Sequence, residues 1–183
     1  MVTNGIYIRK LKRRDLSQLL KWGSHDDLLF EPYNFPKYDR FELLSWYFEK
    51  RSPLKKRIFG IFLDKELVGF LTLKNINYLK RRAEMGIVMN PSLVSRGFGT
   101  KAIKLLFDYV RRKTYLKTIW LKTASFNYRA IRSYDKCGFE IKERIHIPYE
   151  SQNNKYQLIS EYDYFTIIDG DIYTHYVIME REV

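Results

Sequence analysis

Apolar positions fall along the chain in short alternating or continuous runs, which predict strands, and in stretches with a three- and four-residue repeat, which predict helices. Seven segments predict strands: 6–11, 57–63, 67–74, 82–89, 118–123, 139–147 and 172–179. Only Asp64-Lys65-Glu66 separates the second from the third, and this spacing predicts a hairpin. Pro32 and Pro36 predict a loop over 23–38.

Four segments predict helices, and 100–113 has the clearest apolar repeat. Asp15 is expected to cap a short helix that ends near Trp22. Asp39 is expected to open a helix that runs to Lys50, with Pro53 ending that region. The apolar side of this helix is predicted to consist of Phe41, Leu44, Trp46, Tyr47 and Phe48.

The fourth helix covers 127–136 and is closed by Gly138. Strands and helices are interspersed along the whole chain, with no repeat and no linker of low complexity. This order predicts one α/β sheet with helices on its faces, in a single domain over residues 1–183.

Composition narrows the class of protein. The chain has 183 residues and is 45% hydrophobic, which suffices for one domain with a core. One cysteine, Cys137, excludes an internal disulfide framework and favours a reducing, cytoplasmic compartment. Three scattered histidines give no metal-ligand spacing, so we expect no metal. No apolar run is long enough for a membrane span, and no apolar signal region opens the chain.

The charge is unevenly distributed. The net charge is +12, yet residues 147–171 carry five acids and one base, or −4, which leaves +16 for the rest. A basic body favours an anionic partner such as a phosphorylated cofactor or nucleic acid. A solvated, soluble surface is the alternative interpretation.

The segment between the strand 82–89 and the helix 100–113 has the features of a phosphate-binding loop. The first turn of a helix presents unpaired backbone N–H groups and a partial positive charge, which together bind phosphate. Gly97 and Gly99 allow a tight turn and let the backbone approach the phosphate oxygens closely. Arg96 adds a positive charge beside the loop, and Thr100 adds a hydroxyl at the helix start. The loop is neither a Walker A motif nor a three-glycine dinucleotide motif. By itself it could still be a connecting turn.

Two motifs resemble the GNAT superfamily of acetyltransferases. Val94-Ser95-Arg96-Gly97-Phe98-Gly99 is similar to the family's Gln/Arg-x-x-Gly-x-Gly/Ala, with Val94 departing from it. Residues 127–139 resemble the family's Asn-x-x-Ala-x-x-x-Tyr-x-x-x-Gly-Phe. The resemblance covers about Ile6–Ile147 and is sharp from Glu84 to Phe139. RRAEMGIVMNP looks like the branch of ribosomal-protein N-terminal and spermidine acetyltransferases.

The resemblance implies a mixed, mostly antiparallel sheet of about seven strands flanked by about four helices. It also implies direct transfer of an acetyl group from acetyl-CoA to a primary amine of a protein N-terminus, a lysine, a polyamine or another small amine. Two alternatives remain open: a non-catalytic acyl-CoA-binding protein of this fold, and a basic nucleic-acid-binding module.

The resemblance also implies the residues that bind acetyl-CoA. Backbone groups of Ile87, Val88 and Met89 are expected to pair with the pantetheine arm, and the amide of Met89 or of a near neighbour is expected to stabilise the oxyanion. The pyrophosphate is assigned to Val94, Ser95, Arg96, Gly97, Phe98, Gly99 and Thr100. Asn127, Arg129, Ala130 and Ser133 are expected to face the arm from the other side.

Two residues are candidates for catalysis. Tyr134 lies seven residues after Asn127, on the same helix face, and is the predicted general acid for the leaving thiolate; a core tyrosine is the alternative. Glu84 is a candidate base, and an ion pair with Arg81 or Arg82 is its alternative. Cys137 ends a helix and is interpreted as a small buried filler.

The acceptor site is expected from segments 23–38 and 148–173. Residues 148–171 form an acidic, tyrosine-rich insertion, and aromatic faces with carboxylates suit a cationic amine. Tyr156, Tyr162 and Tyr164 are therefore predicted to face the cleft. An extra hairpin that extends the sheet, or a contact in a homodimer, is the alternative role of this insertion.

Overall fold

In the computed structural model, residues 2–3, 5–51 and 55–183 are described. They form one sheet whose strands follow the order β1-β2-β3-β4-β5-β6-β9-β7, with β8 paired to β9. The nine strands are β1 (Val2–Thr3), β2 (Ile6–Lys10), β3 (Arg57–Leu63), β4 (Glu66–Asn77), β5 (Arg82–Met89), β6 (Thr118–Ala124), β7 (Glu140–Pro148), β8 (Phe165–Ile168) and β9 (Asp171–Glu182). Every pairing is antiparallel except that of β5 with β6. The predicted mixed, mostly antiparallel class is confirmed; β1 and β8 are the two strands that the pattern missed.

Within the described residues, four α-helices flank the sheet: α1 (Arg40–Glu49), α2 (Phe98–Lys113), α3 (Tyr128–Asp135) and α4 (Lys155–Glu161). The segment expected to form a short helix after Asp15 is a 3-10 helix, Arg13–Lys21, and Asp15 lies in its first turn. There the Asp15 carboxylate accepts the Lys12 amide at 2.8 Å and pairs with Arg9 at 2.6 Å. A second 3-10 helix, Leu28–Tyr33, lies within the predicted loop. Pro53 is outside the described residues.

Helix α1 begins as predicted and buries only part of the predicted apolar side. Asp39 caps it by accepting the amides of Phe41 and Glu42. Leu43, Trp46 and Tyr47 are buried, whereas Phe41 is 82% exposed and Phe48 60% exposed. The predicted apolar side was wrong at these two positions. Two adjacent apolar stripes lie on this helix, and only its packing against the sheet decides which is buried.

The two faces of the central sheet have separate cores. On one face α2 covers a cluster that includes Leu71, Met85 and Ile119. On the other face α1 and the first 3-10 helix cover a cluster that includes Trp46, Phe62 and Phe70. Residues of one strand alternate between the two cores, because successive side chains point to opposite faces.

Strands β5 and β6 diverge. Their parallel pairing extends only over Arg82–Glu84 of β5 and Thr118–Trp120 of β6. Parallel strands that continued side by side would pair along their full length. From Met85 onwards, therefore, none of the described strands lies beside this edge of β5, and a cleft opens through the sheet.

The acidic insertion is ordered into α4 and β8. Strand β8 forms a hairpin with β9 through Asp169 and Gly170, both with positive φ. The apolar residues of the insertion pack against the second 3-10 helix in a third cluster, which includes Leu29, Phe126, Tyr149 and Leu158. Tyr149 donates its hydroxyl to the carbonyl of Leu29 at 2.9 Å. Segments 23–38 and 148–173 thus meet at one end of the cleft.

Candidate active site

A cavity of about 570 Å³ occupies the cleft between β5 and β6. Its walls come from both faces of the sheet. On one side lie the start of α2, helix α3 and the end of β5; on the other lie α1, β4 and the second 3-10 helix. Ligands that enter from opposite faces can therefore meet in the middle.

The α2 side of the cavity is a helix N-terminus built for close approach. Gly97 has φ +76° and precedes the helix, and the first intrahelical bond runs from the Lys101 amide to the Gly97 carbonyl at 3.2 Å. The amides before Lys101 have no partner within the helix. A Cβ on Gly99 would lie 3.7 Å from Ile87, an ordinary contact, so the protein's own packing does not demand glycine there. Such a Cβ would instead take up space between α2 and β5, where a ligand would lie. We call the loop and helix start over residues 94–100 the α2 cradle. Its unpaired backbone amides suit a pyrophosphate.

Most of the predicted site residues are brought together around this cavity. The lining includes Tyr134, Ile87, Val88, Met89, Val94, Ser95, Gly97, Phe98, Gly99, Thr100, Asn127, Arg129, Ala130 and Ser133. Arg96 is exposed and is not part of the lining, so its charge acts on the cradle only from outside. Glu84 is also outside the lining.

The backbone of β5 faces the cleft at alternate residues. The Asn90 amide donates to the Val68 carbonyl on β4 at 2.9 Å. Because antiparallel pairs alternate between bonded and non-bonded, Val88 and Gly86 also direct their backbone groups to β4. Ile87 and Met89 then direct theirs to the cleft. Of the three residues predicted to pair with the pantetheine arm, Val88 therefore directs its backbone groups to β4, although the residue lines the cavity.

Tyr134 projects from α3 into the cavity. Its ring packs edge-on against Phe139, with centroids 5.9 Å apart, and only 9% of the residue is exposed. Burial raises the pKa of the phenol well above its usual range, and neighbouring Tyr33 adds to the effect. The hydroxyl therefore stays protonated and can act as a donor.

Glu84 is engaged in a tight ion pair. Its carboxylate lies 2.9 Å from Lys74 Nζ and accepts the Asn75 side-chain amide at 2.7 Å. The residue is 8% exposed and faces the α1 side beside Lys74, its cross-strand partner. Glu84 therefore forms an ion pair, as the alternative interpretation of this residue predicted. Its partner is Lys74 and not Arg81 or Arg82. The geometry does not favour Glu84 as a base.

Helix α3 forms the wall opposite β5. Asn127 caps it by accepting the Ala130 amide at 3.2 Å, so this side chain holds the helix start in place. Ser133 donates to the Arg129 carbonyl at 2.9 Å, and the Arg129 guanidinium lies 5.4 Å from the ring centroid of Phe30. Cys137 is buried, its Sγ lies 3.6 Å from the Thr100 carbonyl oxygen, and burial raises the pKa of its thiol. It is a packed residue between α3 and α2.

The acceptor side contains residues that the sequence pattern did not single out. Tyr33, Phe35, Trp46 and Phe70 line the cavity with their rings, and Phe35 lies edge-on to Trp46 at 5.1 Å. His25 also lines it, and burial lowers the pKa of this imidazole. From the sequence, Trp46 and Phe70 are indistinguishable from ordinary core residues, because the neighbouring sequence is the same for a ring in the core and a ring that borders a cavity.

The three tyrosines predicted to face the cleft do not line it. Tyr156 is 75% exposed, and Tyr162 donates to Asp27 at 2.9 Å, outside the lining. Tyr164 lies beside Tyr162, with ring centroids 6.5 Å apart. From the insertion, the residue that reaches the cavity is Glu150.

Two absences concern only residues 2–3, 5–51 and 55–183. Within that part of the chain, histidine, cysteine and acidic side chains nowhere gather in threes as a metal site would need. Over the same residues, none of the helices combines the length and the apolar character required to cross a bilayer.

Comparison with known proteins gives a family match and similar enzymes. A family model described as Acetyltransferase (GNAT) family matches residues 19–139. Among curated proteins, the chain is 29% identical over 140 residues to spermidine N(1)-acetyltransferase of Escherichia coli (strain K12), covering 76% of this chain and 75% of that protein.

Solved structures share the fold over nearly the whole chain. A chimera of spermidine N-acetyltransferase from Vibrio cholerae and hSSAT aligns with a TM-score of 0.71 and 25% identity, covering 97% of this chain and 95% of that one. The spermidine N-acetyltransferase from Vibrio cholerae, solved in complex with CoA and spermine, aligns with a TM-score of 0.71 and 24% identity, covering 98% and 96%.

Proposed function

This chain belongs to the acetyltransferase (GNAT) family and uses acetyl-CoA as its acetyl donor, and we propose that it acetylates a primary amine of a small cationic acceptor of the polyamine class. The observation that carries the proposal is that one continuous cavity joins the α2 cradle to the aromatic acceptor side, with Tyr134 on its wall. A thioester held from one face would meet an amine from the other.

The cradle and the free edge of β5 support the mode of donor binding. The amides before Lys101 would hold the pyrophosphate, with no side-chain contribution from Val94. The backbone groups of Ile87 and Met89 would pair with the pantetheine arm as an added strand does. Helix α3 would close the other side of the arm through Ala130 and Ser133.

The residues around the cavity support direct transfer. The neutral acceptor nitrogen forms a bond to the thioester carbon, and the Met89 amide stabilises the resulting oxyanion. The carbon–sulfur bond then breaks, the sulfur takes the Tyr134 hydroxyl proton, and the nitrogen gives its surplus proton to the phenolate through water. Because burial makes a free phenolate costly at Tyr134, proton donation is expected to accompany bond breaking.

The class of acceptor rests on two further points. Relatives at 29% and 28% identity are named for spermidine. In this chain the aromatic walls and the lining carboxylate Glu150 suit an alkylammonium group. The tyrosines of the insertion do not contribute, since they lie outside the cavity.

The proposal is tested by two measurements on the full chain. Calorimetry measures binding of acetyl-CoA, and a thiol-release assay measures turnover with spermidine, lysine, a basic N-terminal peptide and a neutral alkylamine. We expect release of free CoA with spermidine at the highest kcat/KM. Binding of acetyl-CoA without thiol release for any amine would leave a non-catalytic acyl-CoA-binding protein and overturn the proposal.

A further inference from the structure

Glu150 is the carboxylate that faces the cleft. Among the described residues that line the cavity, it alone carries negative charge. Its side chain is 47% exposed, and its oxygen lies 3.9 Å from Lys122 Nζ, beyond hydrogen-bond distance. Unlike Glu84, which is held by Lys74 and Asn75, Glu150 retains free acceptor capacity toward the cavity.

The surroundings of Glu150 suit an organic cation. Its backbone amide lies 3.3 Å from the Tyr176 hydroxyl oxygen, to which it donates. Tyr33 lies close enough that Glu150 adds to the rise in the Tyr33 pKa, which burial mainly causes. Glu31 is near as well, its carboxylate accepting the Ser151 hydroxyl at 3.4 Å. At this end the cavity is therefore lined by the Glu150 carboxylate, by Tyr33 and by the Lys122 ammonium, and the Glu31 carboxylate lies behind the lining.

The other end of the cavity presents ammonium groups. Lys50, Lys56 and Lys74 line it. The carboxylates that pair with these lysines lie outside the lining. Glu49 lies 3.3 Å from Lys50 and 3.4 Å from Lys56, and Glu84 pairs with Lys74. The Glu150 end holds one ammonium, that of Lys122, beside its carboxylate, whereas this end holds three and no lining carboxylate. A second positive charge on an acceptor would therefore be repelled more strongly at this end than at the Glu150 end.

We infer that Glu150, together with Tyr33, binds the distal ammonium of the acceptor and makes the enzyme selective for diamines and polyamines. This inference rests on the proposed function and adds a direction to it. The acceptor chain runs from the reacting nitrogen toward the segment after β7, away from Lys50, Lys56 and Lys74. Glu150 touches the distal end and not the reacting atoms, so it determines specificity through KM.

The test uses three acceptors of one length. These are 1,5-diaminopentane, pentylamine and 5-aminopentanoate, whose far ends are positive, neutral and negative. We expect kcat/KM to fall in that order for the unmodified enzyme. In Glu150→Gln the preference for the diamine over pentylamine should fall by about tenfold, the typical effect of losing a charge-assisted hydrogen bond. The loss should appear mainly in the KM of the diamine.

Two further variants sharpen the test. Glu150→Lys should reverse the order and favour 5-aminopentanoate. Glu161→Gln removes an exposed carboxylate from the same insertion, outside the cavity, and should leave the preference unchanged. Circular dichroism of each variant checks that the fold is retained.

The failure of this inference differs from the failure of the proposed function. If pentylamine is acetylated but the diamine has no advantage, or if Glu150→Gln keeps the advantage, the role of Glu150 is overturned while the amine acetyltransferase stands. If none of the three amines releases thiol from bound acetyl-CoA, and spermidine releases none either, the proposed function itself fails.

Discussion

The two halves of the cleft are built in different ways. The donor half consists of a helix N-terminus and a strand edge, so its contacts are mainly backbone amides and carbonyls. The acceptor half consists of side chains from α1, β4, the second 3-10 helix and the insertion. Backbone geometry follows from a short local motif, whereas a surface of side chains depends on which segments pack together. The donor half can thus be predicted from a sequence motif. The side chains of the acceptor half can differ between relatives that share the fold.

The largest expected effect on turnover comes from replacing Tyr134, which lies between the two halves of the cleft. Tyr134→Phe should lower kcat by about 10²-fold or more, because the leaving thiolate loses its proton donor. The dissociation constant of acetyl-CoA, measured by calorimetry, should stay within the error of the unmodified chain. Tyr115→Phe, at a position 83% exposed, is the matched control and should leave kcat unchanged. An unaltered kcat in Tyr134→Phe would remove the assignment.

The donor cradle is expected to respond next. Gly97→Ala places a Cβ in the left-handed region at φ +76°, which costs about 1–2 kcal/mol. Relief of that strain would move the amides at the start of α2, so acetyl-CoA should bind about tenfold more weakly. Gly170→Ala is the control, since its φ of +87° gives the same strain in the β8–β9 turn, far from the cradle. Both should lose thermal stability, and only Gly97→Ala should lose affinity. Equal affinities would show that the cradle does not hold the donor.

The pH dependence distinguishes the buried phenol from an ordinary one. A raised pKa keeps the Tyr134 hydroxyl protonated above the pH at which a tyrosine in water ionises, near 10. The kcat with a saturating amine should therefore show no alkaline decline below about pH 10. The control is Tyr134→Phe, whose residual kcat should follow the same profile. A decline that begins near pH 8 to 9 in the unmodified enzyme, absent from Tyr134→Phe, would contradict the burial of this phenol.

The smallest effect on catalysis is expected at Glu84. In Glu84→Gln the ion pair with Lys74 is lost, so the melting temperature should fall, because a charge partner is removed from a buried carboxyl site. Turnover should change by no more than about twofold, since the side chain lies outside the cavity. The control Lys74→Met should lower stability in the same direction. A hundredfold loss of kcat in Glu84→Gln would restore Glu84 as the base.

The bounds of most elements were predictable because their signals are local. Strand β5 coincides with the predicted 82–89, and β3 with 57–63, since apolar residues continue between polar turns there. Asp39 opens α1 and Asn127 opens α3 through their own side-chain caps. The exposed Phe41 and Phe48 and the strand β8 were not predictable, because burial is decided by partners distant in sequence.

The sequence by itself determined the donor half: a strand, a glycine-bearing turn and a helix start, whose amides act regardless of most side chains. Tertiary structure alone decided three other matters. It showed that Ile87 and Met89, and not Val88, direct their backbone to the cleft, because the pairing of β5 with β4 sets the phase. It placed Glu84 in an ion pair with Lys74. It brought Tyr33 and Glu150, 117 residues apart by their numbering, to one end of the cavity, because the insertion packs against the second 3-10 helix.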